Sequence, residues 1–393
     1  MPKVLRIINR FNLGGPTYNV AYLSKYLGPD YETLLIGGAK DESEESSGFI
    51  VENLGLKPVI VDEMLREINL KKDYAAYKKI KKIIQEFKPD IVHTHASKAG
   101  TLGRLAARSC NVPVIVHTFH GHVFHSYFGK LKTAFYKTIE RYLAAKSTAI
   151  IAISEKQKEE LSEIHGICKA EKIRVIPLGF DLGKFRENMN GKRDAFRSKY
   201  LLEEDEIAIT IVGRLVPVKN HSLYLEALKI VSERSGKKIR GFIVGDGEER
   251  AAVEAKATAL GIHFSSGPGK ALLTFTSWIK DVDIALAGSD IIALTSFNEG
   301  TPVSLIEAQA AGKPIVTTCV GGVENVVIPE KTALLCGSLE KEKFAAALLK
   351  LTENEMLRSS MSEKGWDHVR SAFHYTRLVT DVKNLYDELL KKV

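Results

Sequence analysis

Cysteine is scarce in these 393 residues, and the four present, Cys110, Cys168, Cys319 and Cys336, lie far apart and form no CxxC pair. That spacing supports neither a disulfide framework nor a zinc site and fits a reducing compartment. Long apolar runs are missing too. No stretch of about 20 uninterrupted apolar residues occurs, and the start MPKVLRIINRF lacks an apolar segment leading to a small-residue cleavage site. Neither a spanning helix nor secretion is therefore expected, and the expected location is cytoplasmic. Repeats with a period of roughly 20–50 residues and low-complexity tracts are also absent, which sets aside solenoids and disordered arrays.

What is present is globular. Hydrophobic residues make up 45% and charged residues 26% of a chain too long for one compact core and of a length for two. The net charge of +8 is unevenly placed: residues 1–180 carry 27 Lys and Arg against 19 Asp and Glu, and residues 181–393 carry 29 against 29. Residues 71–146 alone hold 15 basic and 4 acidic side chains, including KKDYAAYKKIKK. A basic half suits an anionic partner, whether a phospholipid surface, a lipid-phosphate acceptor or nucleic acid; a solvated lysine-rich helix face is the plain alternative. No zinc finger, helix-turn-helix or RNP motif supports nucleic acid.

Short β-branched runs alternate with amphipathic stretches, the pattern of βαβ units in a parallel sheet. VLRIINR, LLIGG, IVHTH, VIVHTF, AIIAIS and IRVIPL read as strands of a first series, and IAITIVG, GFIVG, IIALTS and PIVTT as a second. Two series joined near Pro177 to Asp181 predict two doubly wound, Rossmann-like α/β domains facing across a cleft, over residues 1–182 and 183–372. The tail from about residue 340 reads as helical, and its last helix, 373–393, is expected to return to the first domain.

The densest chemistry lies in Glu299-Gly300-Thr301-Pro302-Val303-Ser304-Leu305-Ile306-Glu307. The strand IIALTS leads into the loop bearing Glu299, and Pro302 sits where a helix begins, with Thr301 as the expected cap. Backbone N–H groups from Gly300 to Val303 then collect at the carboxyl end of a parallel strand, a place that binds phosphate. A carboxylate accepts two hydrogen bonds and suits a vicinal diol, so Glu307 is assigned to a ribose and Glu299 to a transferred sugar.

A second constellation is Gly213-Arg214-Leu215 with Lys219 and Asn220, at the turn after IAITIV. Glycine admits a ligand close to the backbone, and two cations beside it can take the charge of a departing diphosphate. In the first series, Gly14-Gly15-Pro16 follows a strand and opens a helix, a weak signal alone. Four histidines crowd HTFHGHVFH at 117–125; without clustered Cys or carboxylate partners a metal site is set aside, and His120 beside Gly121 is taken to touch the sugar. Gly15 is assigned to the nucleotide sugar, and His122 is placed on the acceptor side with Gly14. His93 and His95 either line that side or are satisfied core histidines.

Three motifs are set aside. Asp281-Val282-Asp283 imitates a metal-binding DxD but sits in a polar turn entering a helix. Gly245-Asp246-Gly247 lacks the third glycine of GxGxxG, which disfavours a dinucleotide; Gly245 is kept as a tight turn near the pocket. Ser154 has no GxSxG elbow.

Taken in order, Gly14-Gly15, His120-Gly121, IPLGFD at 176–181, Gly213-Arg214 with Lys219, Gly245-Asp246-Gly247, and Glu299 with Glu307 at E-x7-E spacing resemble the retaining glycosyltransferases of family 4, which have the two-domain GT-B fold. The likeness spans nearly the whole chain. It implies that the C-terminal domain holds a nucleotide-diphosphate sugar and the N-terminal domain the acceptor, with no metal and no cofactor. It implies that Arg214 and Lys219 grip the diphosphate, Glu307 the ribose, and Glu299 with Gly300, Thr301, Pro302 and Val303 the sugar and phosphate. The stretch His263 to Trp278 departs from the family's short strand and glycine turn; the base is placed beside Trp278 to Lys280.

The function expected is retaining transfer of a hexose or N-acetylhexosamine, with a UDP-sugar favoured and a glycan or lipid-linked glycan as acceptor. The donor phosphate would take the acceptor's proton, so no strong base is needed. Peripheral contact of the basic N-terminal domain with an anionic membrane is the matching partner expectation. A sugar-nucleotide epimerase of the same fold and a non-catalytic nucleotide-sugar-binding partner are the alternatives.

Overall fold

The computed structural model describes residues 1–11, 15–38, 48–65, 67–120 and 130–392. The chain divides into two units, one made of 1–180 with 373–393 and the other of 181–372.

The first unit is built on strands β1 (Lys3–Arg10), β2 (Glu32–Gly38), β3 (Val59–Ile60), β4 (Ile91–His95), β5 (Val114–Phe119), β6 (Ala149–Ala152) and β7 (Ile173–Val175). They form a parallel sheet in the order β3-β2-β1-β4-β5-β6-β7. Helices cover both faces, so the strands are apolar almost throughout: in β1, Val4, Leu5, Ile7 and Ile8 are all buried. The last helix, Tyr375–Leu390, lays Leu378, Val382, Leu385 and Leu389 against Val4, Leu23 and Ile91 in this unit's core. Each such side chain contributes about 1.5–3 kcal/mol on burial.

Helix Leu70–Phe87 shows how local chemistry sets an element. Asn69 caps it by accepting from Lys72 N at 3.1 Å, while Asp73 Oδ2 accepts from Asn69 N at 3.1 Å. Ala76, Ile80 and Ile84 recur every four residues and form the buried stripe, and Lys88 ends the helix in the left-handed region just before Pro89.

The second unit is built on β8 (Ile207–Val212), β9 (Ile239–Val244), β10 (Phe264–Ser266), β11 (Leu273–Ser277), β12 (Ile291–Leu294), β13 (Ile315–Thr318) and β14 (Ala333–Cys336). Its parallel order is β10-β11-β9-β8-β12-β13-β14. The chain leaves β8 toward β9 and later returns to pair β12 on β8's other side, so a topological switch point lies between β8 and β12.

The strands read from sequence are all present. The ones missed are β3, β10, β11 and β14, each short. The pair β10 and β11 departs from the usual rule that parallel neighbours need a long crossover, because only residues 267–272 join them. Gly267 takes a φ of +110°, Gly267 N donates to Phe275 O at 2.9 Å, and the buried Arg240 donates from Nη2 to Gly269 O at 2.7 Å. Those bonds replace the packing a crossover helix would supply.

Candidate active site

At the switch point of the second unit, the short 3-10 turn Pro217–Lys219 is sewn onto the end of β12. Phe297 N donates to Val218 O at 2.8 Å and Thr295 Oγ1 to Lys219 O at 2.9 Å. The result is a close pair: Lys219 Nζ stands 2.6 Å from Glu299 Oε1, and Ser296 Oγ donates to the same oxygen at 2.5 Å. Glu299 Oε2 carries no hydrogen bond from a described residue. Both side chains are mostly shielded from solvent, at 21% and 11% exposure, so the pair is held in a setting where charge counts for more than at an open surface.

The backbone beneath is packed too closely for side chains. A Cβ on Gly321, whose φ is +55°, would lie 2.0 Å from Glu299 O, and Gly322 N donates to that oxygen at 2.9 Å. On the other flank a Cβ on Gly245, at φ +143°, would lie 2.0 Å from Gly213 O. Gly213 itself has Lys219 Cε as its nearest neighbour, 3.5 Å from where a Cβ would be. Gly213, Lys219, Gly245 and Glu299 thus share one neighbourhood at the carboxyl ends of β8, β9 and β12.

Helix Val303–Ala310 begins after Pro302 with no side-chain cap, so the expected role of Thr301 is corrected: its hydroxyl does not satisfy the first turn. The first-turn amides at Val303 and Ser304 are left without a side-chain acceptor, and Gly300 is exposed beside them. Glu307, on the second turn, is half-buried; burial pushes its carboxyl up to about 7, with Lys184 opposing and Asp283 adding to the rise. No described residue donates a hydrogen bond to it. Arg214 is exposed at the end of β8, and Lys280 is exposed after β11.

Asp283 of the apparent DxD is tied to Lys192 at 2.9 Å, and Asp281 is the residue before helix Val282–Gly288. Among the described residues no group of three or more His, Cys, Asp or Glu could hold a metal ion.

In the first unit, Gly15 opens helix Gly15–Tyr26, where Asn19 Nδ2 donates to Gly15 O at 2.9 Å and Asn19 Oδ1 accepts from Gly179 N at 2.9 Å. Asn19 therefore ties the glycine turn to the IPLGFD segment. Gly14, Gly121 and His122 lie outside the described residues. His95, at the end of β4, is buried and meets His120 through Nδ1 and Nε2 at 2.9 Å. His120 is only partly covered, yet burial of the ring draws its pKa down to about 4. His95 is held well below the ordinary imidazole range by burial and by its charged and imidazole neighbours.

His93 requires a correction. It is 0% exposed, and both ring nitrogens are occupied: Nδ1 accepts from Arg6 Nη1 at 3.0 Å and lies 2.6 Å from Tyr386 Oη, while Nε2 is 2.7 Å from Thr118 Oγ1. A guanidinium can only donate, so Nδ1 is the acceptor and Nε2 carries the proton. Of the two readings open for His93, the structure supports the satisfied core histidine; it offers no surface to an acceptor.

The sequence reading missed Ser296, Asn19 and the Gly321-Gly322 pair. The last had a visible signal, since a double glycine follows the strand PIVTT as Gly14-Gly15 follows the first strand. Ser296 and Asn19 carried none.

Comparison with known proteins fits this geometry. Residues 13–184 match Glycosyltransferase Family 4 and residues 192–368 match the glycosyl transferases group 1. The chain is 32% identical over 343 residues to the UDP-Gal:alpha-D-GlcNAc-diphosphoundecaprenol alpha-1,3-galactosyltransferase of Escherichia coli, covering 85% of this chain and 84% of that one. It belongs to glycosyltransferase family 4. Among solved structures, a glycosyltransferase from Rickettsia africae aligns with a TM-score of 0.81 at 19% identity, covering 100% of this chain and 99% of the other. Anabaena HepE, crystallised with UDP, aligns with a TM-score of 0.80 at 18% identity, covering 98% and 100%. The transferase has the GT-B fold and uses a nucleotide sugar. Among its described residues no helix is long and apolar enough to cross a membrane.

Proposed function

We propose that this transferase moves a hexose or N-acetylhexosamine from a UDP-sugar to a glycan or lipid-linked glycan, with retention at the anomeric carbon and without a metal. The observation that carries the reading is the Lys219–Glu299 pair at the switch point, 2.6 Å apart and beside an uncapped helix start. The E. coli relative, named for a UDP-galactose donor and a diphosphoundecaprenol-linked acceptor, supports the choice of donor and acceptor class.

Lys219 and Arg214 take the charge that gathers on the departing diphosphate, and the amides from Gly300 to Val303 hold its phosphate. Glu299 keeps Lys219 in place through Oε1 and offers Oε2 to a sugar hydroxyl. Glu307, to which no described residue donates, accepts the ribose diol. The bond between the anomeric carbon and the diphosphate oxygen breaks as the bond to the acceptor oxygen forms on the same face, and the acceptor's proton passes to the leaving phosphate. Gly15 is assigned to the nucleotide sugar, His120 to the transferred sugar and His95 to the acceptor. Gly213 and Gly245 keep the floor low, and Lys280 lies toward the base. The reaction is assigned to the cytoplasmic side, at an anionic membrane that the basic first unit contacts.

The test is a thermal-shift and transfer panel of UDP-, GDP-, ADP- and dTDP-sugars in the presence of EDTA. Stabilisation and turnover with UDP-sugars alone are expected. Equal response to every base, or a strict requirement for added divalent ion, would refute the proposal.

A further inference from the structure

In the first unit β4 and β5 run side by side, and their alternate residues bring His93 and His95 onto one face with Thr118 and, just past the strand, His120. His93 Nε2 lies 2.7 Å from Thr118 Oγ1, and His95 Nδ1 lies 2.9 Å from His120 Nε2, so the same step of 25 residues is bridged twice. The two rows are in contact, since the rings of His93 and His95 are 4.2 Å apart at their centres.

A guanidinium stands behind both rows. Arg6, on β1 at the side of β4 away from β5, is 0% exposed and forms no ion pair with a described residue. It donates from Nη1 to His93 Nδ1 at 3.0 Å and to Tyr386 Oη at 3.2 Å, while its Nε and Nη2 meet no acceptor among the described residues. Burial keeps His93, His95 and His120 neutral; the Arg6 charge adds to this for His93 and His95, whereas burial alone accounts for His120. Two neutral rings that share one bond leave a single choice, which of them donates. A buried cation turns neighbouring N–H dipoles away from itself. The first row follows that rule, since His93 accepts from Arg6 and donates onward to Thr118. In the same sense the second row has His95 donating from Nδ1 to His120 Nε2, which leaves the proton of His120 on Nδ1.

We propose that His95 is a positioning residue: by donating to Nε2 it fixes His120 in the Nδ1–H tautomer, so that His120 meets an oxygen of the transferred sugar as a hydrogen-bond donor and not as a base. The inference rests on the reading above that His120 touches the sugar, and it adds how that ring is set. His95 itself is 1% exposed, so its part on the acceptor side passes through His120. His120 Nδ1 has no partner among the described residues. A buried N–H without an acceptor is costly, and a sugar oxygen delivered to it removes that cost. Nδ1–H is the tautomer that a free imidazole takes less often, which makes its presence diagnostic.

The experiment uses the full chain with nitrogen-15-labelled histidine and long-range nitrogen–proton correlation spectra of the rings at pH 7.5, the signals of His120 being identified by their loss in His120→Ala. A protonated Nδ1 and a bare Nε2 are expected for His120 in the native chain. In His95→Leu that signature should give way to a mixture of tautomers. Turnover, measured with the sugar nucleotide that the panel above selects, should fall by about tenfold or more, with the KM for the donor little changed. His95→Asn, whose Nδ2 donates from the same place, should regain most of the loss. Thermal melting reports folding, and if His95→Leu fails to fold, the native spectrum and His95→Asn decide. A native His120 with its proton on Nε2, or His95→Leu turning over as native while His120→Ala is impaired, overturns the inference alone. Near-native turnover in His120→Ala strikes the reading of His120 at the sugar, and the inference falls with it.

Discussion

Lys219 and Glu299 sit 80 residues apart in sequence and 2.6 Å apart in space, and Ser296 completes the arrangement by donating to the oxygen that Lys219 holds. On the proposed reading, a donor diphosphate entering beside them would compete with Glu299 for the ammonium group. Each partner therefore positions the other until the ligand arrives. Lys219→Ala and Glu299→Ala should each lower turnover by about 10²–10³-fold with melting temperatures little changed. Because the two act together, the double variant should lose far less than the product of the single losses. Near-native turnover in either single variant, or strictly multiplicative losses, counts against the assignment.

Glu307 gives the site a pH signature. Its carboxyl is raised to about 7, so in the empty transferase it is partly protonated at neutral pH. If Glu307 takes the ribose as proposed, a diol donating to it would favour the ionised form and lower its pKa, so binding near pH 6.5 should release a proton. Affinity for UDP should rise with pH up to about 7 and then level off. Calorimetry in buffers of different ionisation enthalpy measures the released proton directly; no release from native chain, or the same release from Glu307→Gln, contradicts the role.

Much of the fold was legible in sequence because parallel strands buried on both faces write themselves as unbroken apolar runs, and the candidate residues Lys219 and Glu299 stand in turns after such runs, with Glu307 on the helix that follows. Four strands were not legible, β3, β10, β11 and β14. Phe264–Ser266 and Val59–Ile60 span too few residues to show a pattern, and the joint between β10 and β11 breaks the expected rhythm of strand, helix, strand. Thr301 was misread because a threonine before Pro302 looks like a cap from sequence, while the helix starts one residue past the proline. His93 and His95 were indistinguishable by position. Only the geometry shows that Arg6 and Tyr386 fill the coordination of one, while the other reaches toward His120.

The histidine cluster should make the first unit acid-labile. His93, His95 and His117 are buried and held neutral, each with a pKa well below the ordinary 6.5. The unfolded chain then binds more protons than the folded one below pH 6.5, so stability is fully present above that pH and falls as acid is added. Each group contributes a slope of about 1.4 kcal/mol per pH unit once below its unfolded value. In the second unit His221, drawn down to about 4 by burial, and His368 act in the same sense, but Glu307 opposes them, since its raised pKa favours folding as pH falls through 7 toward its unfolded value. Hydrogen exchange at pH 7.5 and pH 5 should show β4 and β5 losing protection well before β8 and β12; equal loss in both units is the contrary result.

The glycine floor makes a separate point about backbone. Gly245→Ala would set a Cβ 2.0 Å from Gly213 O at a φ that L residues rarely adopt. The expected cost is about 2–4 kcal/mol from strain and overlap together. Gly236→Ala, where nothing lies within 4 Å of the new carbon, is the control and should melt close to native. Equal melting of the two variants would show that the β8 and β9 turns can part at no cost.

The last helix carries a consequence for the order in which the chain is made. Leu378, Val382, Leu385 and Tyr386 complete a core whose other half, Val4, Leu23 and Ile91, leaves the ribosome first. The second unit is continuous from 181 to 372 and has all its strands before that helix is translated. During synthesis the second unit can therefore close while the first unit still waits, its apolar face open, for helix Tyr375–Leu390. A nascent chain stalled shortly before Tyr375 should hold a protease-resistant second unit and a cleavable first one, and the stretch of time between those two events is when this protein most needs a chaperone.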